Sequence, residues 1–213
     1  MTGAEAVRLS RDGIVDAYLR IADKEGTDEI TLRRLGSELG VDPTAVYRHV
    51  RDKGEILALA ADRVLAAAAD GLIETGDWRE DLIELYARVR SAYLSHPRAL
   101  RNLQLSPAVI PTVQRLSNQT IAWLHAGGLD EEQAALAFEL LETYTLGTAL
   151  FDAGMTEEIL DGWRRSYATD PDAEYTYLAA TASSLYRDPD AAFAQGLGML
   201  LDGIERWVGS GTT

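Results

Sequence analysis

The chain has 213 residues, contains no cysteine and carries a formal net charge of −14, with 46% hydrophobic residues. This is the composition of an ordinary globular protein, and the lack of cysteine excludes disulfides and thiolate metal ligands. No apolar run approaches the roughly 20 residues that span a bilayer, and the N-terminus has no apolar signal core. We therefore expect a cytoplasmic protein without membrane contact.

The negative charge is concentrated in the C-terminal two thirds of the chain. Residues 1–65 carry 10 Lys or Arg and 12 Asp or Glu, whereas residues 66–213 carry 10 and 22. Residues 31–53 hold five Lys or Arg against three acids. An acidic chain repels nucleic acid at long range. A nearly neutral segment with a local excess of cations can still bind phosphates, with the acidic part held away.

Helix signals dominate the chain, and no segment shows the pattern of a strand. The predicted caps of the first four helices are, in order, Ser10, Thr31, Asp42 and Asp52. Pro43 follows the third cap at the first helical position, where its missing N–H costs nothing. Gly40 follows the second helix at the position of a left-handed C-cap.

Beyond a boundary expected near residues 71–77, the predicted helices lengthen. Asp77 caps a helix that stops before Pro97, and Asp130 caps a long helix that ends at Gly154. The other predicted helices span residues 107–126, 156–168, 172–186 and 189–207. The sequence therefore predicts an all-α protein with two domains, residues 1–70 and residues 71–213.

Residues 31–53 have the shape of a helix-turn-helix, because two short helices join through a tight turn at Gly40. Apolar residues can pack these helices together, which leaves polar residues on the outer face of the second. Thr, Ala and Arg side chains suit base edges, whereas Tyr, His and Lys suit phosphate oxygens. The alternative is a solvated helical hairpin inside an ordinary bundle, since short amphipathic helices with a glycine turn are common.

The pattern T-L-R-R-L-x-x-E-L-G-V-x-P-x-x-V-Y-R-H-V-x-x-K resembles the DNA-binding signature of the tetracycline-repressor (TetR) family. The match covers about residues 9–65. A weaker match, over residues 144–150 and 193–204, is to the tetracycline-repressor branch. The resemblance implies an N-terminal three-helix helix-turn-helix DNA-binding domain joined to a larger helical domain for effector binding and dimerisation. It also implies a transcriptional regulator, most often a repressor that a small molecule releases from a palindromic operator.

By the same resemblance, the contacts with double-stranded operator DNA map to the second and third helices and to the start of the fourth. The expected contacts of the second and third helices are Arg33, Pro43, Thr44, Ala45 and Arg48. The expected phosphate contacts are Tyr47, His49 and Lys53. Arg48 stands at a position that varies within the family, so we expect it to contribute to operator specificity.

Aromatic and polar side chains concentrate in the second domain, where the family builds its effector pocket between helices. Such pockets are mostly apolar with a few placed polar groups. The candidate ligand contacts are Tyr86, Arg90, Tyr93, Trp123, Phe138, Tyr144 and Trp163. Most of these side chains can instead belong to the core. A buried Arg90 needs a partner, which is either an acid of the chain or an anionic ligand.

The sequence predicts neither a cofactor nor a metal site, because no histidine and carboxylate stand at i, i+4 spacing with a second ligand nearby. Family members that bind a magnesium–tetracycline complex hold it through a histidine in the region corresponding to residues 100–106. That region reads LRNLQLS here, so tetracycline is not expected as the effector. No enzyme constellation emerges. The competing interpretation is a helical enzyme or small-molecule carrier whose N-terminal hairpin is structural.

The last predicted helix contains three glycines, although each costs about 1 kcal/mol relative to alanine inside a helix. Close approach of another helix explains such a cost, and the resemblance pairs this helix with the one near residues 131–153 in a four-helix dimer interface. The predicted homodimer contacts are Gly147, Ala192, Gly196, Met199 and Gly203. Small side chains can instead serve packing within one chain.

Overall fold

The computed structural model describes residues 9–25, 30–100, 110–169 and 174–210, and these residues are helical with no strand. The first helices are α1 (Arg11–Glu25), α2 (Leu32–Leu39), α3 (Pro43–Val46) and α4 (Lys53–Ala69). The others are α5 (Trp78–Ser95), α6 (Pro97–Leu100), α7 (Pro111–Ala126), α8 (Glu131–Ala153), α9 (Glu157–Ala168), α10 (Thr176–Thr181) and α11 (Pro189–Ser210). None of the helices in the described ranges combines the length and the apolar character that crossing a membrane requires.

Side-chain caps set the helix starts that the sequence predicts. Thr31, Asp42 and Asp52 each accept a hydrogen bond from a backbone N–H in the first turn of α2, α3 and α4. Asp77 does the same for α5, and Asp130 forms a reciprocal capping box at α8. These bonds satisfy N–H groups that lack a partner within the helix. The predicted starts of these five helices are confirmed.

Two helices differ from the prediction. The structure begins α7 at Pro111 rather than at residue 107, and residues 101–109 lie outside the described parts of the chain. The helix predicted over residues 172–186 is wrong in length, because α10 has six residues and is followed by a 3₁₀ turn at Ala182–Ser184. Tyr175 gives α10 no side-chain cap, and the 3₁₀ turn has poorer hydrogen-bond geometry than an α-helix.

One buried cluster joins the first four helices. Its centre is the inner face of α1, including Ile14 and Tyr18, which are almost fully buried. Leu35 of α2 and Val46 of α3 pack into the same cluster. These apolar anchors fix α2 and α3 against α1, so the opposite side of α3 faces solvent.

The C-terminal part is organised around α8, which packs against α5, α7 and α11. The helix α4 belongs to both parts. Its residue Ile56 packs in the N-terminal cluster, whereas Leu65 packs with Tyr93 and Leu100 in a separate cluster. The domain boundary at residue 70 stays a prediction, and it falls at the end of a helix that both clusters share.

Candidate DNA-binding surface and effector cavity

A tight turn joins α2 to α3. Gly40 has φ 66° and ψ 29°, the left-handed conformation that glycine adopts without strain. The Val41 N–H donates to the Gly36 carbonyl oxygen at 2.9 Å. A Cβ atom at Gly36 would lie 2.9 Å from the Val41 carbonyl oxygen, so the absence of a side chain brings the two helices close together. The sequence analysis did not single out Gly36, because its role depends on a contact across the turn.

The outer side of the α3 segment carries the predicted DNA contacts. Tyr47 is 54% exposed, and Thr44 and Arg48 are exposed as well, while Pro43, Ala45 and His49 are half-buried. The Thr44 hydroxyl donates to the Asp42 carboxylate at 2.5 Å. This hydrogen bond, followed by the one from the Thr44 backbone N–H, lowers the pKa of Asp42. Asp42 is therefore held as a charged helix cap.

The five cations of residues 31–53 fall into two groups. Arg34 lies 2.6 Å from Glu25 and 3.1 Å from Glu38. Arg51 lies 3.2 Å from Glu55. The other three make no ion pair within 4.0 Å to any residue that the structure describes, and they are Arg33, Arg48 and Lys53. The cations without a partner are the three that the sequence analysis assigns to DNA.

A cavity of about 180 Å³ lies between α5, α7 and α8, beside the end of α4. Two of the predicted ligand contacts, Tyr86 and Tyr93, line it. The sequence analysis missed its other polar groups, which are Ser117, Thr120 and Glu142. The apolar lining consists of Leu65, Leu85, Val89, Val113, Leu116 and Leu146. A mostly apolar wall with a few polar groups is typical of small-molecule sites.

Glu142 is the charged side chain among the described residues that line this cavity, and it makes no ion pair with them. Burial raises the pKa of its carboxyl group. Burial, together with the negative charge of Glu142, raises the pKa of Tyr93 to about 12. Tyr86 is shifted in the same direction by the same two causes. The Tyr86 hydroxyl faces Thr120 but makes no hydrogen bond within 3.5 Å to the described residues.

Arg90 lies away from this cavity and has acidic partners within the chain. Its guanidinium donates to Asp152 at 2.6 Å and to Asp190 at 2.5 Å. It also stands 4.9 Å above the ring of Phe193. The sequence analysis left open whether Arg90 pairs with an acid of the chain or with an anionic ligand. The structure shows two acids of the chain as its partners.

The remaining predicted ligand contacts are distributed over other surroundings. Tyr144 stacks on Phe193 with the ring centroids 5.5 Å apart, and Trp123 is buried in the core. Phe138 lines a surface groove along α8, and Trp163 packs with Phe151 and Tyr186. The predicted residues therefore do not surround one cavity, and their contacts with a ligand stay predictions. Of residues 100–106, all but the first lie outside the described parts of the chain.

An apolar stripe runs along the outer sides of α8 and α11. Its exposed members include Leu136, Leu140 and Leu150 of α8 and Met199 of α11, which is 60% exposed. A Cβ atom at three of the helical glycines of this region, Gly147, Gly198 and Gly203, would meet nothing within 4 Å. Gly196 differs, because a Cβ there would meet the Tyr144 hydroxyl at 2.0 Å. Packing within the chain therefore explains Gly196 but not the other three.

Comparison with known proteins gives matches along nearly the whole chain. A family model for the tetracyclin repressor-like C-terminal domain matches residues 71–208. The HTH-type transcriptional repressor DrrR1 of Streptomyces coeruleorubidus is 26% identical, over 92% of this chain and 77% of its own length. The class A tetracycline repressor of transposon 1721 from Escherichia coli is 27% identical, over 93% of this chain and 92% of its own.

Solved structures agree with these matches. Apo ActR from Streptomyces coelicolor has a TM-score of 0.82 at 29% identity, and the alignment covers 94% of this chain and 97% of ActR. ActR in complex with actinorhodin also has a TM-score of 0.82, at 28% identity, with 96% of this chain and all of ActR covered (100%). The similarity therefore includes both the helix-turn-helix and the helices around the cavity.

Proposed function

The chain belongs to the tetracycline-repressor family of transcriptional regulators, and we propose that it is a dimeric repressor that leaves a palindromic operator when a small molecule binds. One observation carries the DNA-binding part of this proposal. Arg33, Arg48 and Lys53 make no ion pair within 4.0 Å to the described parts of the chain, while the neighbouring Arg34 and Arg51 are paired with acids. Exposed cations without partners are the groups that replace counterions on DNA phosphates.

Each predicted DNA contact has a role that fits its position. Arg48, exposed on the α3 segment, donates two hydrogen bonds to a guanine edge. Thr44 engages its hydroxyl with Asp42, so its methyl group is left to contact thymine methyls. Tyr47, His49 and Lys53 contact phosphates, and the last of these stands at the N-terminus of the 17-residue α4, where the helix dipole also attracts anions.

A direct binding measurement tests this part of the proposal. Fluorescence anisotropy on the promoter region of the protein's own gene is expected to give an affinity that falls steeply as salt increases. Arg33→Ala is expected to weaken binding, whereas Arg115→Ala, an equal charge change at an exposed position of α7, is expected to leave it unchanged. Equal losses in both variants would mean that net charge, rather than the helix-turn-helix, controls binding. No binding at low salt would remove the DNA-binding role.

The helix α4 provides a path from the cavity to the DNA-binding surface. Leu65 lines the cavity, and Ile56, nine residues earlier and so roughly 14 Å along the helix, packs in the cluster that holds α3. The Asp62 carboxylate of α4 accepts a hydrogen bond from the Thr112 backbone N–H of α7 at 2.8 Å. A ligand between α5, α7 and α8 therefore contacts Leu65 of α4 and the helix α7, which is hydrogen-bonded to α4. It changes operator affinity to the extent that it favours one conformation.

The ligand complexes of ActR support a ligand-responsive role for this chain, since ActR structures hold actinorhodin and (S)-DNPA. We propose a regulator rather than an enzyme, as regulators of this family generally are. No group of three or more metal-ligating side chains occurs in the ranges that the structure describes. No observation favours the alternative of a helical enzyme or carrier.

We also propose that the apolar stripe of α8 and α11 forms the homodimer interface. Exposed leucines and Met199 have no reason to face solvent in a monomer, and patches of this kind mark interfaces. Gly147 and Gly203 let a partner helix approach closely, because nothing in the chain occupies the space beside them. Two-fold symmetry would place two α3 segments about 34–36 Å apart, which is one turn of DNA.

A further inference from the structure

The cavity between α5, α7 and α8 has an uncompensated negative charge among its described lining residues. Of the described residues that line it, Glu142 is the acid, and none is a lysine, arginine or histidine. Arg90, which is on α5, lies away from the cavity and is paired with Asp152 and Asp190. A half-buried carboxylate is costly unless it is paired or hydrogen-bonded. None of the described residues that line the cavity supplies the positive partner that this carboxylate needs.

The groups opposite Glu142 reinforce a preference for positive charge. Tyr86 and Tyr93 are seven residues apart on α5, which places both on one face of the helix, and both are 4% exposed. Tyrosine ring faces attract cations. The Tyr86 hydroxyl, which lacks a hydrogen-bond partner among the described residues, is a polar group that can accept a hydrogen bond from a ligand. An anionic ligand would meet repulsion from Glu142.

We propose that the effector is a compact aromatic or aliphatic amine whose protonated nitrogen binds Glu142. The proposal rests on the proposed role of this cavity as the effector site. The ammonium group forms an ion pair with the Glu142 carboxylate, and the apolar body lies against Val89, Val113 and Leu116. A cavity of about 180 Å³ admits a body of one small ring. Glu142 also lines the groove on the outer side of α8, so the charged end of the ligand points toward that side.

Three probes that share one ring and differ in charge test this proposal. They are benzylammonium, benzyl alcohol and benzoate, titrated at neutral pH into the full-length protein by ligand-observed NMR at millimolar concentration. Benzylammonium is expected to bind the wild-type protein about tenfold more tightly than benzyl alcohol, and benzoate is expected to bind most weakly. In Glu142→Gln the advantage of benzylammonium over benzyl alcohol is expected to disappear.

Glu132→Gln is the matched control, because it makes the same charge change at an exposed position of the same helix, outside the cavity and the groove. This variant is expected to keep the tenfold preference for benzylammonium. Since ligand binding is measured without DNA, a wild-type protein that binds no operator would refute the proposed function and leave this inference to be judged on the probes.

Three results would overturn the inference. One is equal affinity of the wild-type protein for benzylammonium and benzyl alcohol, which would indicate a neutral hydrogen-bonding effector. Another is a preference that survives in Glu142→Gln, and the third is no saturable binding of benzylammonium. If Glu142→Gln does not fold, Glu142→Asp decides the question. A preference reduced at least about threefold supports the inference, and an unchanged preference overturns it.

Discussion

The helix-turn-helix and the cavity both contain charged side chains that form no ion pair with the described residues. These charges differ in sign and in exposure between the two regions. Arg33, Arg48 and Lys53 are positive and exposed, whereas Glu142 is negative and half-buried. An exposed cation is solvated by water and costs little until DNA replaces that water. A half-buried carboxylate loses solvation in the unliganded protein itself. The cavity therefore carries a stability cost that the DNA-binding surface does not.

Each of the two regions also contains arginines whose charge is already compensated by acids of the chain. In the helix-turn-helix, Arg34 and Arg51 already pair with acids of the chain, so we expect them to contribute less to DNA binding than Arg33, Arg48 and Lys53. In the C-terminal part, Arg90 pairs with two acids of the chain, so its contact with a ligand stays a prediction. In both regions the candidate binding residues are the charged side chains that form no ion pair with the described chain.

Disrupting the dimer is expected to have the largest effect, because it separates the DNA-binding surface from its two-fold partner. Gly203→Leu fills space that is empty in the chain, so we expect a folded, largely monomeric protein with operator affinity reduced at least about 100-fold. Sedimentation and anisotropy measure the two effects.

Two comparison variants sharpen this test. Ala122→Leu places the same side chain at an exposed position of α7 and is expected to remain dimeric. Gly196→Leu clashes with Tyr144 inside the chain and is expected to lower thermal stability as well. A Gly203→Leu protein that remains dimeric at low micromolar concentration would contradict the proposed interface.

Arg90→Ala tests whether a paired charge is structural. The Arg90 side chain is 6% exposed, and its removal leaves the half-buried Asp152 without its ion-pair partner. We therefore expect a loss of about 2 kcal/mol in the free energy of unfolding, with the effector response retained. Denaturant unfolding measures this loss. Arg88→Ala, on the same helix, loses an i, i+4 pair with Glu84 and a hydrogen bond to the Asp70 carbonyl oxygen, and is expected to cost less, about 1 kcal/mol. Loss of effector response in a stable Arg90→Ala protein would return Arg90 to the site.

Arg48 and Lys53 are expected to differ in what they contribute to DNA binding. Arg48→Ala should cost about 1–3 kcal/mol at one or two base pairs of the operator and relax the preference there. Lys53→Ala should weaken binding to all sequences alike and reduce the salt slope by roughly one unit. Anisotropy with singly substituted operators at several salt concentrations separates the two patterns. A uniform loss across the operator for both variants would refute the assignment of Arg48 to base contact.

The smallest expected effect concerns the cost of Glu142 in the unliganded protein. Because burial raises its pKa, the protonated form is favoured in the folded state. This stabilisation is present below the unfolded pKa near 4.5 and is lost as pH rises through the higher folded value. Glu142→Gln is therefore expected to be more stable than the wild type at pH 7, by up to about 1 kcal/mol, and equally stable near pH 4. Thermal unfolding of both proteins at both pH values measures the difference. A wild-type protein that is more stable than Glu142→Gln at pH 7 would contradict the prediction.

Local chemistry made the helix starts and the DNA-binding motif predictable. Caps such as Asp42 and Asp130 act on N–H groups two or three residues away, so their effect can be read from spacing alone. Gly40 behaves in the same way, because its left-handed conformation ends α2 within the turn. The helix predicted over residues 172–186 is too long, since no side-chain cap supports α10 and a 3₁₀ turn follows it at Ala182–Ser184.

The sequence by itself determined an all-helical chain of the tetracycline-repressor family and the helix-turn-helix that carries the predicted DNA contacts, because periodicity, caps and the motif are all local along the chain. Only the tertiary structure decided which charges are compensated. Arg90 meets Asp152 and Asp190 across 62 and 100 residues, and Glu142 faces Tyr86 and Tyr93 from another helix. Such pairings depend on how α5, α8 and α11 pack together, and helical spacing within one segment carries no information about the segment that lies opposite.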